Sequence, residues 1–182
     1  SKSAHHIAFI NAHCLNIAYK NREYQQILKK CTVVFADGIG AKIGAKMLGF
    51  KVEENVNGTD MFPLLAQKPY RIYLFGGAPG VAETALKNAK NLNGKADFVG
   101  CADGFFKEKS EEQIFAELCE LKVDILLVAL GVPKQEEWIK CNLDKLPGCV
   151  AIGVGGLLDF VSGRIPRAPL WMRKCNIEWC FR

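Results

Sequence analysis

The stretch Val123-Asp-Ile-Leu-Leu-Val-Ala-Leu-Gly-Val-Pro-Lys-Gln-Glu136 sets the class of fold expected for this chain of 182 residues. Its first eight residues are mostly branched and apolar, too few to span a bilayer, and typical of a strand buried on both faces of a parallel sheet. The strand pattern stops at Gly131, and Pro133 suits the first turn of a following helix. The stretch therefore predicts a strand, a turn and a helix in succession.

Strand and helix patterns alternate in the same way along the rest of the chain. Strands are predicted near 7–11, 32–36, 71–75, 96–100, 123–130 and 149–154, and helices at 12–30, 40–48, 59–67, 81–92, 109–121 and 134–145, with helical turns beyond 156. Such alternation favours an α/β fold: a Rossmann-like, mostly parallel sheet with helices on both faces. With 49% of the residues apolar and no repeat or linker, we expect residues 1–182 to form a single domain.

Lys134, Gln135 and Glu136 would begin the helix after Pro133, next to its unpaired backbone N–H groups. These groups and the helix dipole attract anions, so Lys134 is expected to meet a phosphate and Gln135 to hydrogen-bond a sugar or base. An ordinary helix start with solvated polar residues would have the same sequence. The phrase alone leaves both interpretations open.

Glycine pairs follow two other predicted strands, Gly76–Gly77 after 71–75 and Gly155–Gly156 after 149–154. The carboxyl ends of parallel strands meet at one sheet edge, where glycines let backbone approach a ligand closely. Arg164 and Arg167 come soon after the second pair, and a guanidinium group matches phosphate oxygens in geometry. Tight structural turns and a solvated arginine loop are the alternatives.

An acidic residue stands at one strand end, since Asp37 comes directly after strand 32–36 and before Gly38. A carboxylate there would repel phosphate, so Asp37 suits a general base or a ligand for a sugar hydroxyl. It could instead cap the helix that starts near Ile39. Asp60 has the same two interpretations, with the cap favoured, and Asn11 is a third polar group at a strand end.

Cysteine and histidine usage predicts no metal site. The eight cysteines form no C-x-x-C pair and no zinc-like grouping with the three histidines, so we expect reduced thiols that pack as small apolar residues. His5, His6 and His13 are expected to lie exposed near the terminus. No signal peptide and no apolar run near eighteen residues are found, which makes the cytosol the natural compartment.

The net charge of +5 gathers late in the chain, where several arginines accompany tryptophans and other apolar residues beyond Arg164. A basic, aromatic end suits an anionic membrane surface or a lipid phosphate, although the aromatics could simply pack on the core. Basic residues are otherwise scattered among acids and no nucleic-acid-reading module is found, so no nucleic acid partner is expected. Exposed aromatics near the end also indicate self-association, and we expect a homo-oligomer.

Several phrases occur in the order seen in the WecG/TagA/CpsF glycosyltransferases, which the chain resembles over nearly its whole length. They are Asp37-Gly-Ile-Gly40, Gly58-Thr-Asp60, Gly76-Gly-x-Pro-Gly80, Leu130-Gly-x-Pro-Lys-Gln-Glu136, Val154-Gly-Gly-x-x-Asp159, Arg167-Ala-Pro169 and Glu178-Trp179. The resemblance implies transfer of a hexose, of the N-acetylmannosamine type or related, from a UDP-sugar to a sugar linked through diphosphate to a polyprenol. Such enzymes act in bacterial cell-surface polysaccharide or teichoic acid synthesis.

The resemblance also implies inversion at the transferred sugar, no metal, and no cofactor, because the UDP-sugar is a substrate. It makes Asp37 the catalytic base. The substrate-binding candidates, from the resemblance and the strand-end pattern together, are Asn11, Asp60, Gly76, Gly77, Gly131, Pro133, Lys134, Gln135, Glu136, Gly155, Gly156, Arg164 and Arg167. The implied location is cytoplasmic, held peripherally at the inner face of the cell membrane through the C-terminal region.

The chain departs from the family pattern at Phe9, where many members have threonine, and at Asn55, where they have arginine. A different donor or acceptor sugar is therefore expected to be possible. Many members continue beyond the Glu-Trp phrase into a basic membrane-binding appendage. Since the sequence stops at Arg182, we expect it to lack that appendage and to have low activity as it stands.

Two other functions compete with the transferase. Gly38, Gly40 and Gly44 give G-x-G-x-x-x-G after a strand, close to the fingerprint of an NAD(P)-dependent oxidoreductase. Asp37 argues against a phosphate in that turn, and no acidic residue clearly closes a second strand about twenty positions on. The other alternative is a non-catalytic subunit that binds a nucleotide sugar without transferring it.

Overall fold

The computed structural model describes residues 3–52 and 56–166, which are built around one six-stranded parallel sheet. Its strands are β1 (His5–Ile10), β2 (Val33–Ala36), β3 (Arg71–Gly76), β4 (Asp97–Ala102), β5 (Ile125–Ala129) and β6 (Val150–Gly153). They lie in the order β2-β1-β6-β5-β3-β4, and every neighbouring pair is parallel. The predicted α/β class is confirmed, with each predicted strand within a few residues of its observed bounds.

Eight α-helices connect and follow these strands in the described residues. They are α1 (Ala12–Lys20), α2 (Arg22–Lys30), α3 (Ile39–Met47), α4 (Gly58–Ala66), α5 (Val81–Lys90), α6 (Glu111–Glu120), α7 (Lys134–Asn142) and α8 (Leu157–Val161), with a 3-10 turn at Leu143–Lys145 after α7. No described helix combines the length and the apolar character needed to cross a bilayer.

The single helix predicted over 12–30 is wrong, because Asn21 divides it into α1 and α2. Its backbone is extended, with φ −118° and ψ 101°, and its side chain accepts the backbone N–H of Tyr24 across 3.0 Å. Asparagine competes for backbone hydrogen bonds in this way and so favours helix ends over helix interiors. Asn21 ends α1 and caps α2 at once.

Strands β3, β5 and β6 are buried on both faces, which explains why they are almost wholly apolar, whereas the edge strand β2 is partly exposed. On β3, Ile72 and Leu74 pack in a cluster with α4, α5 and α8. Tyr73 and Phe75, which alternate with them, pack with α6 and α7 on the other face. Two hydrophobic cores therefore cover the two faces of these strands, so a ligand would bind at the strand ends.

The expectation that all three N-terminal histidines are exposed is wrong for His6, which is only 3% exposed. As the second residue of β1 it points inward, and its Nδ1 lies 3.5 Å from the thiol of Cys31. Burial lowers the pKa of His6 to about 4. His5 and His13 are exposed as expected, and the described residues contain no group of three or more side chains arranged to hold a metal ion.

Candidate active site at the carboxyl edge of the sheet

All six strands deliver their carboxyl ends to one edge of the sheet, because all are parallel. Across that edge, in sheet order, the chain presents Asp37, Asn11, Gly155, Gly131, Gly77 and Asp103. Ligands of open α/β folds bind outside this edge. Five of these six positions are among the candidates predicted from sequence; Asp103 is buried and accepts the backbone N–H of Phe105 in a local turn.

Asp37 lies at the end of β2, the outermost strand on one side of the sheet. Its backbone N–H donates to the carbonyl of Ile10 across 2.7 Å, which continues the pairing of β2 with β1 by one residue. The N-cap position of α3 belongs to Gly38, at φ 89°, rather than to Asp37. Asp37 is therefore not the N-cap residue of α3, and it is half-buried at the carboxyl edge of the sheet.

Asn11, on the neighbouring strand end, is half-buried and caps α1. Its Oδ1 accepts the backbone N–H of Cys14 across 3.1 Å. This bond fixes the rotamer of Asn11 beside the end of β2. Its role as a ligand contact stays a prediction, since the cap alone would explain the residue.

The start of α4 reaches the same edge. A Cβ added to Gly58 would lie 3.7 Å from Val154 and 3.8 Å from the ring of Phe9, so the helix begins over the ends of β6 and β1. Asn57 caps this helix by accepting the N–H of Asp60, and its own amide donates to the Asp60 carboxylate, both at 2.8 Å. Asp60 thus takes part in the cap, as favoured from sequence, while its exposed carboxylate faces the edge region.

Gln135 connects two parts of the edge that are twenty residues apart in sequence. Its Oε1 accepts the backbone N–H of Gly155 across 2.9 Å, and its Nε2 donates to Glu136 Oε1 across 2.6 Å. Both side chains are buried, at 2% and 0% exposed. Gln135, held by Glu136, therefore fixes the position of the Gly155–Gly156 turn. A direct contact of either side chain with a ligand stays a prediction.

Gly153 allows this bracing because α7 packs tightly against β6. A Cβ at Gly153 would lie 2.8 Å from Gln135 Nε2 and 2.9 Å from Glu136 Oε1. Gly153 was not predicted as a functional residue, because Gly153 ends a strand and does not form a turn. Its signal was a glycine in an otherwise branched run, which often marks close approach by another group.

Glu136 is an unusual carboxylate, since burial raises its pKa to about 7 despite the hydrogen bond from Gln135. Its second oxygen, Oε2, is buried without a hydrogen-bond partner among the described residues. Burial also raises the pKa of the Cys14 thiol, and the charges of Glu136 and Asp37 add to that rise. Both acids thus lie near the Cys14 thiol in the first turn of α1.

Gly131, Pro133 and Lys134 lie at the start of α7, where Gly131 and Pro133 are half-buried and Lys134 is exposed. Gly131 has φ 77° and open space where a Cβ would be, and Pro133 is the residue before the first helical position. Lys134 is exposed at that first position, where a cation can reach an anion held over the strand ends. The predicted turn and helix start are confirmed, and phosphate binding stays a prediction.

Gly76 and Gly77 have a packing reason to be glycine. A Cβ at Gly76, which has φ 120°, would lie 2.4 Å from the carbonyl oxygen of Ala129. Gly77 then donates its backbone N–H to that same oxygen across 2.9 Å. The tight structural turn left open from sequence is what the structure contains, and ligand contact here remains a prediction.

Arg164 forms an ion pair with Asp159, at 3.4 Å between Nη1 and Oδ1, while remaining largely exposed. Asp159 lies in the first turn of α8, and its other oxygen would be 3.9 Å from a Cβ at Gly156. Asp159 thus holds a guanidinium close to the glycine turn, a role that the sequence pattern did not indicate. Arg167 lies outside the described residues.

One strand, β1, separates the two halves of the site. Asp37 follows β2 and Gly155 follows β6, and β1 lies between these strands, so two strand spacings give about 10 Å between them. An apolar cavity of about 260 Å³ lies elsewhere, among the C-terminal ends of α4, α5 and α8. Those helix ends lie at the opposite edge of the sheet, away from Asp37.

Comparison with known proteins gives two relatives with the same name, N-acetylglucosaminyldiphosphoundecaprenol N-acetyl-beta-D-mannosaminyltransferase. The protein of Bacillus subtilis (strain 168) is 28% identical over 180 residues, covering 97% of this chain and 70% of the relative. That of Bacillus spizizenii (strain ATCC 23059 / NRRL B-14472 / W23) is 30% identical over 169 residues, covering 91% and 65%. The chain thus spans about two thirds of each relative.

The profile of the glycosyl transferase WecG/TagA/CpsF family matches residues 1–182, which confirms the resemblance inferred from the motifs. The matched range includes both halves of the strand-end site, and the family is one of glycosyl transferases rather than oxidoreductases. The chain belongs to the WecG/TagA/CpsF family of glycosyl transferases.

Proposed function

We propose that this protein is an inverting transferase that moves an N-acetylmannosamine-type hexose from a UDP-sugar to a sugar carried on polyprenyl diphosphate. The names of both Bacillus relatives specify such an acceptor and a β-linked mannosaminyl product. A β product from an α-linked nucleotide sugar requires inversion. The activity would serve bacterial cell-surface polysaccharide or teichoic acid synthesis.

One observation carries the proposal: the carboxylate of Asp37 lies at the sheet edge across from the glycine turn that Gln135 supports. The gap of about 10 Å between them fits two sugar rings better than a direct contact between Asp37 and the diphosphate. In the reaction, the acceptor hydroxyl oxygen attacks the anomeric carbon of the donor. The bond from that carbon to the diphosphate oxygen breaks, its electron pair leaves with UDP, and the hydroxyl proton passes to Asp37.

Charge that builds on the departing diphosphate needs cations and N–H donors. Lys134 at the start of α7 and Arg164, paired with Asp159 beside Gly156, are the described cations that we assign to the diphosphate, and Arg167 follows in sequence. The N–H of Gly155 already donates to Gln135, so Gly155 contributes close approach of its backbone rather than a hydrogen bond. Each charge-assisted bond to the diphosphate would be worth about 1.5–3 kcal/mol, which makes a metal-independent reaction reasonable.

The proposal extends to where the protein acts. A polyprenyl-linked acceptor is confined to a membrane, so we propose a peripheral location at its cytoplasmic face. The basic, aromatic segment predicted to meet the membrane falls on residues 167–182, outside the described residues. The homo-oligomer inferred from the same aromatics likewise remains a proposal.

The test is transfer and binding measured on the same sample. UDP is expected to quench tryptophan fluorescence and NADH is not, and transfer from UDP-N-acetylmannosamine to a short-chain polyprenyl-diphosphate N-acetylglucosamine is expected to continue in excess chelator. Loss of transfer in chelator would overturn the metal-independent mechanism. UDP binding without any transfer would favour the non-catalytic binding subunit instead.

A further inference from the structure

Three deeply buried polar side chains, on three different elements, each have an atom without a hydrogen-bond partner among the described residues. The atoms are Nε2 of His6 on β1, the hydroxyl oxygen of Tyr24 on α2 and Oε2 of Glu136 on α7. These residues are 3%, 0% and 0% exposed. Buried polar atoms of native proteins are almost always paired, either with protein or with ordered water. A single bound group would serve all three atoms if they face one place.

The part of the sheet below α2 and α7 is made of small residues. His6 pairs with Ala151 across β1 and β6, and paired residues of a parallel sheet point to the same face. Ala151 belongs to the core on the α7 face, so His6 points to that face as well. Two positions further along these strands are Ala8 and Gly153, which lie on the same face again. Alanine and glycine leave space there that larger strand residues would fill.

Glu136 and Tyr24 reach this space from the two helices that cover it. Glu136 lies over Gly153, where an added Cβ would be 2.9 Å from its Oε1. Burial raises the pKa of Tyr24, and the charges of Glu136 and Cys31 add to that rise, so both groups lie near its hydroxyl. Cys31 in turn has its Sγ 3.5 Å from Nδ1 of His6. Tyr24 therefore connects Glu136 at one end of a buried polar cluster to His6 at the other.

The protein groups around this cluster are poor partners for its unpaired atoms. The Cys14 thiol lies beside the Tyr24 hydroxyl, but a thiol is a weak donor and a weak acceptor. Glu136 already accepts from Gln135 through Oε1, which leaves Oε2 for another donor. Water both donates and accepts, so it suits a carboxyl oxygen, a hydroxyl group and an imidazole nitrogen together.

We propose that His6, Tyr24 and Glu136 enclose an internal site for ordered water, and that this water holds Glu136 in place next to the glycine turn. The water would donate to Glu136 Oε2 and also hydrogen-bond the Tyr24 hydroxyl and His6 Nε2. Glu136 then keeps its other oxygen for Gln135, which accepts the N–H of Gly155. Tyr24 is in this way a positioning residue for the turn. The water site rests on the buried atoms alone, whereas its effect on UDP rests on the proposed function.

Removing the Tyr24 hydroxyl tests the site, because bound water changes the sign of the effect. With water bound, Tyr24→Phe removes a paired hydroxyl, and the folding equilibrium constant from urea unfolding should fall by about fivefold. Without water, Tyr24→Phe removes an unpaired buried hydroxyl, so stability would be unchanged or higher. That result would overturn the proposal.

Two other tyrosines supply matched controls for the same substitution. Tyr73 is as buried as Tyr24, and its hydroxyl donates to Glu117 across 2.8 Å, so Tyr73→Phe should lose stability. Tyr19 is 88% exposed, and Tyr19→Phe should match wild type.

A Cys14→Ala background separates water from the thiol as the partner of Tyr24. Tyr24→Phe should cost as much stability in this background as in wild type. If the cost disappears there, the thiol is the partner and the water site is refuted. A high-resolution crystal structure should also show ordered density at hydrogen-bonding distance from the Tyr24 hydroxyl and Glu136 Oε2. Well-ordered side chains with no density between them would refute the site too.

UDP titration tests the link between the water site and the glycine turn. Tyr24→Phe should weaken UDP binding by about threefold or more, the effect of losing one hydrogen bond. Tyr73→Phe loses stability at a distance from the turn and should bind UDP as wild type does. Unchanged UDP affinity in Tyr24→Phe would overturn the positioning role. A wild type that binds no UDP would instead refute the proposed function, and the unfolding and crystallographic results would still decide the water site.

Discussion

The side chain of Gln135, at the start of α7, accepts the backbone N–H of Gly155, at the end of β6, across 2.9 Å. Glu136 decides which way this amide faces, because a carboxylate can only accept and therefore binds the NH2 group of Gln135. The carbonyl oxygen of Gln135 is left to face Gly155. Two buried side chains thus set the position of a turn that, in the proposed function, receives the UDP diphosphate.

Exchanging the two side chains tests this relationship. Gln135→Glu puts two buried carboxyl groups side by side and should weaken UDP binding about tenfold or more, with lower stability. Adding Glu136→Gln restores one acceptor toward Gly155 and one N–H donor between the pair, so the double variant should recover most of the UDP affinity. A double-mutant cycle read by UDP titration and urea unfolding measures the coupling, which is expected to exceed about 1 kcal/mol. Additive losses would mean that the pair does not act as a unit.

Gly76 gives a prediction about packing. Gly76→Ala would place a Cβ 2.4 Å from the backbone of Ala129 at φ 120°, so β3 and β5 would have to separate. We expect a loss of more than about 3 kcal/mol in the free energy of unfolding, or failure to fold. Gly80→Ala is the matched control, since Gly80 has φ 81° but open space around the added methyl. It should cost only about 1 kcal/mol, from backbone strain. Equal losses in urea unfolding would exclude crowding against Ala129 as the cause.

The sequence predicted this fold well because each strand is an unbroken apolar run that ends at a glycine or a polar residue. It also grouped Asp37, Gly131 and Gly155 correctly, since parallel strands bring their carboxyl ends together. It could not predict that the Gln135 side chain is buried against Gly155, because a glutamine at a helix start can bind either a ligand or the protein backbone. His6 was misjudged for a similar reason, because its burial depends on Cys31, which is distant in sequence. Asn21 is different, since the residue that it caps, Tyr24, is close in sequence, and the preference of asparagine for helix ends was the available signal.

Burial of Glu136 predicts a pH dependence of stability. Its pKa is about 7 in the folded chain, above the ordinary value near 4.5, so the folded state holds the proton more tightly. Stability from this group is therefore full at low pH and is lost as the pH rises from about 4.5 to 7. Glu136→Gln has no carboxyl group to ionise, so its free energy of unfolding should exceed that of wild type by an amount that grows over this pH range to about 3 kcal/mol. Urea unfolding at intervals from pH 4.5 to 8 measures the difference.

His6 acts in the opposite sense, because its pKa of about 4 is below the ordinary 6.5, and stability from it is lost as the pH falls from about 6.5 to 4. Taking the difference between Glu136→Gln and wild type cancels the His6 contribution, which both chains share. Glu120→Gln, on the exposed end of α6, is the control and should track wild type throughout. A Glu136→Gln curve parallel to wild type would show that Glu136 titrates normally.

Asp37 carries the chemical step in the proposed function, so its isosteric amide is the most direct test of the mechanism. Asp37→Asn keeps the size of the side chain and the backbone bond to Ile10 but cannot accept the proton of the acceptor hydroxyl. Transfer should fall by a factor of about 10² to 10⁴, the usual contribution of a general base, while UDP affinity stays within about twofold because the diphosphate lies some 10 Å away. Glu120→Gln, on the exposed end of α6, removes a carboxylate outside the candidate site and should leave transfer unchanged. If Asp37→Asn instead weakened UDP binding and left turnover of bound donor intact, Asp37 would be a donor contact, and the proton would have to leave through another group.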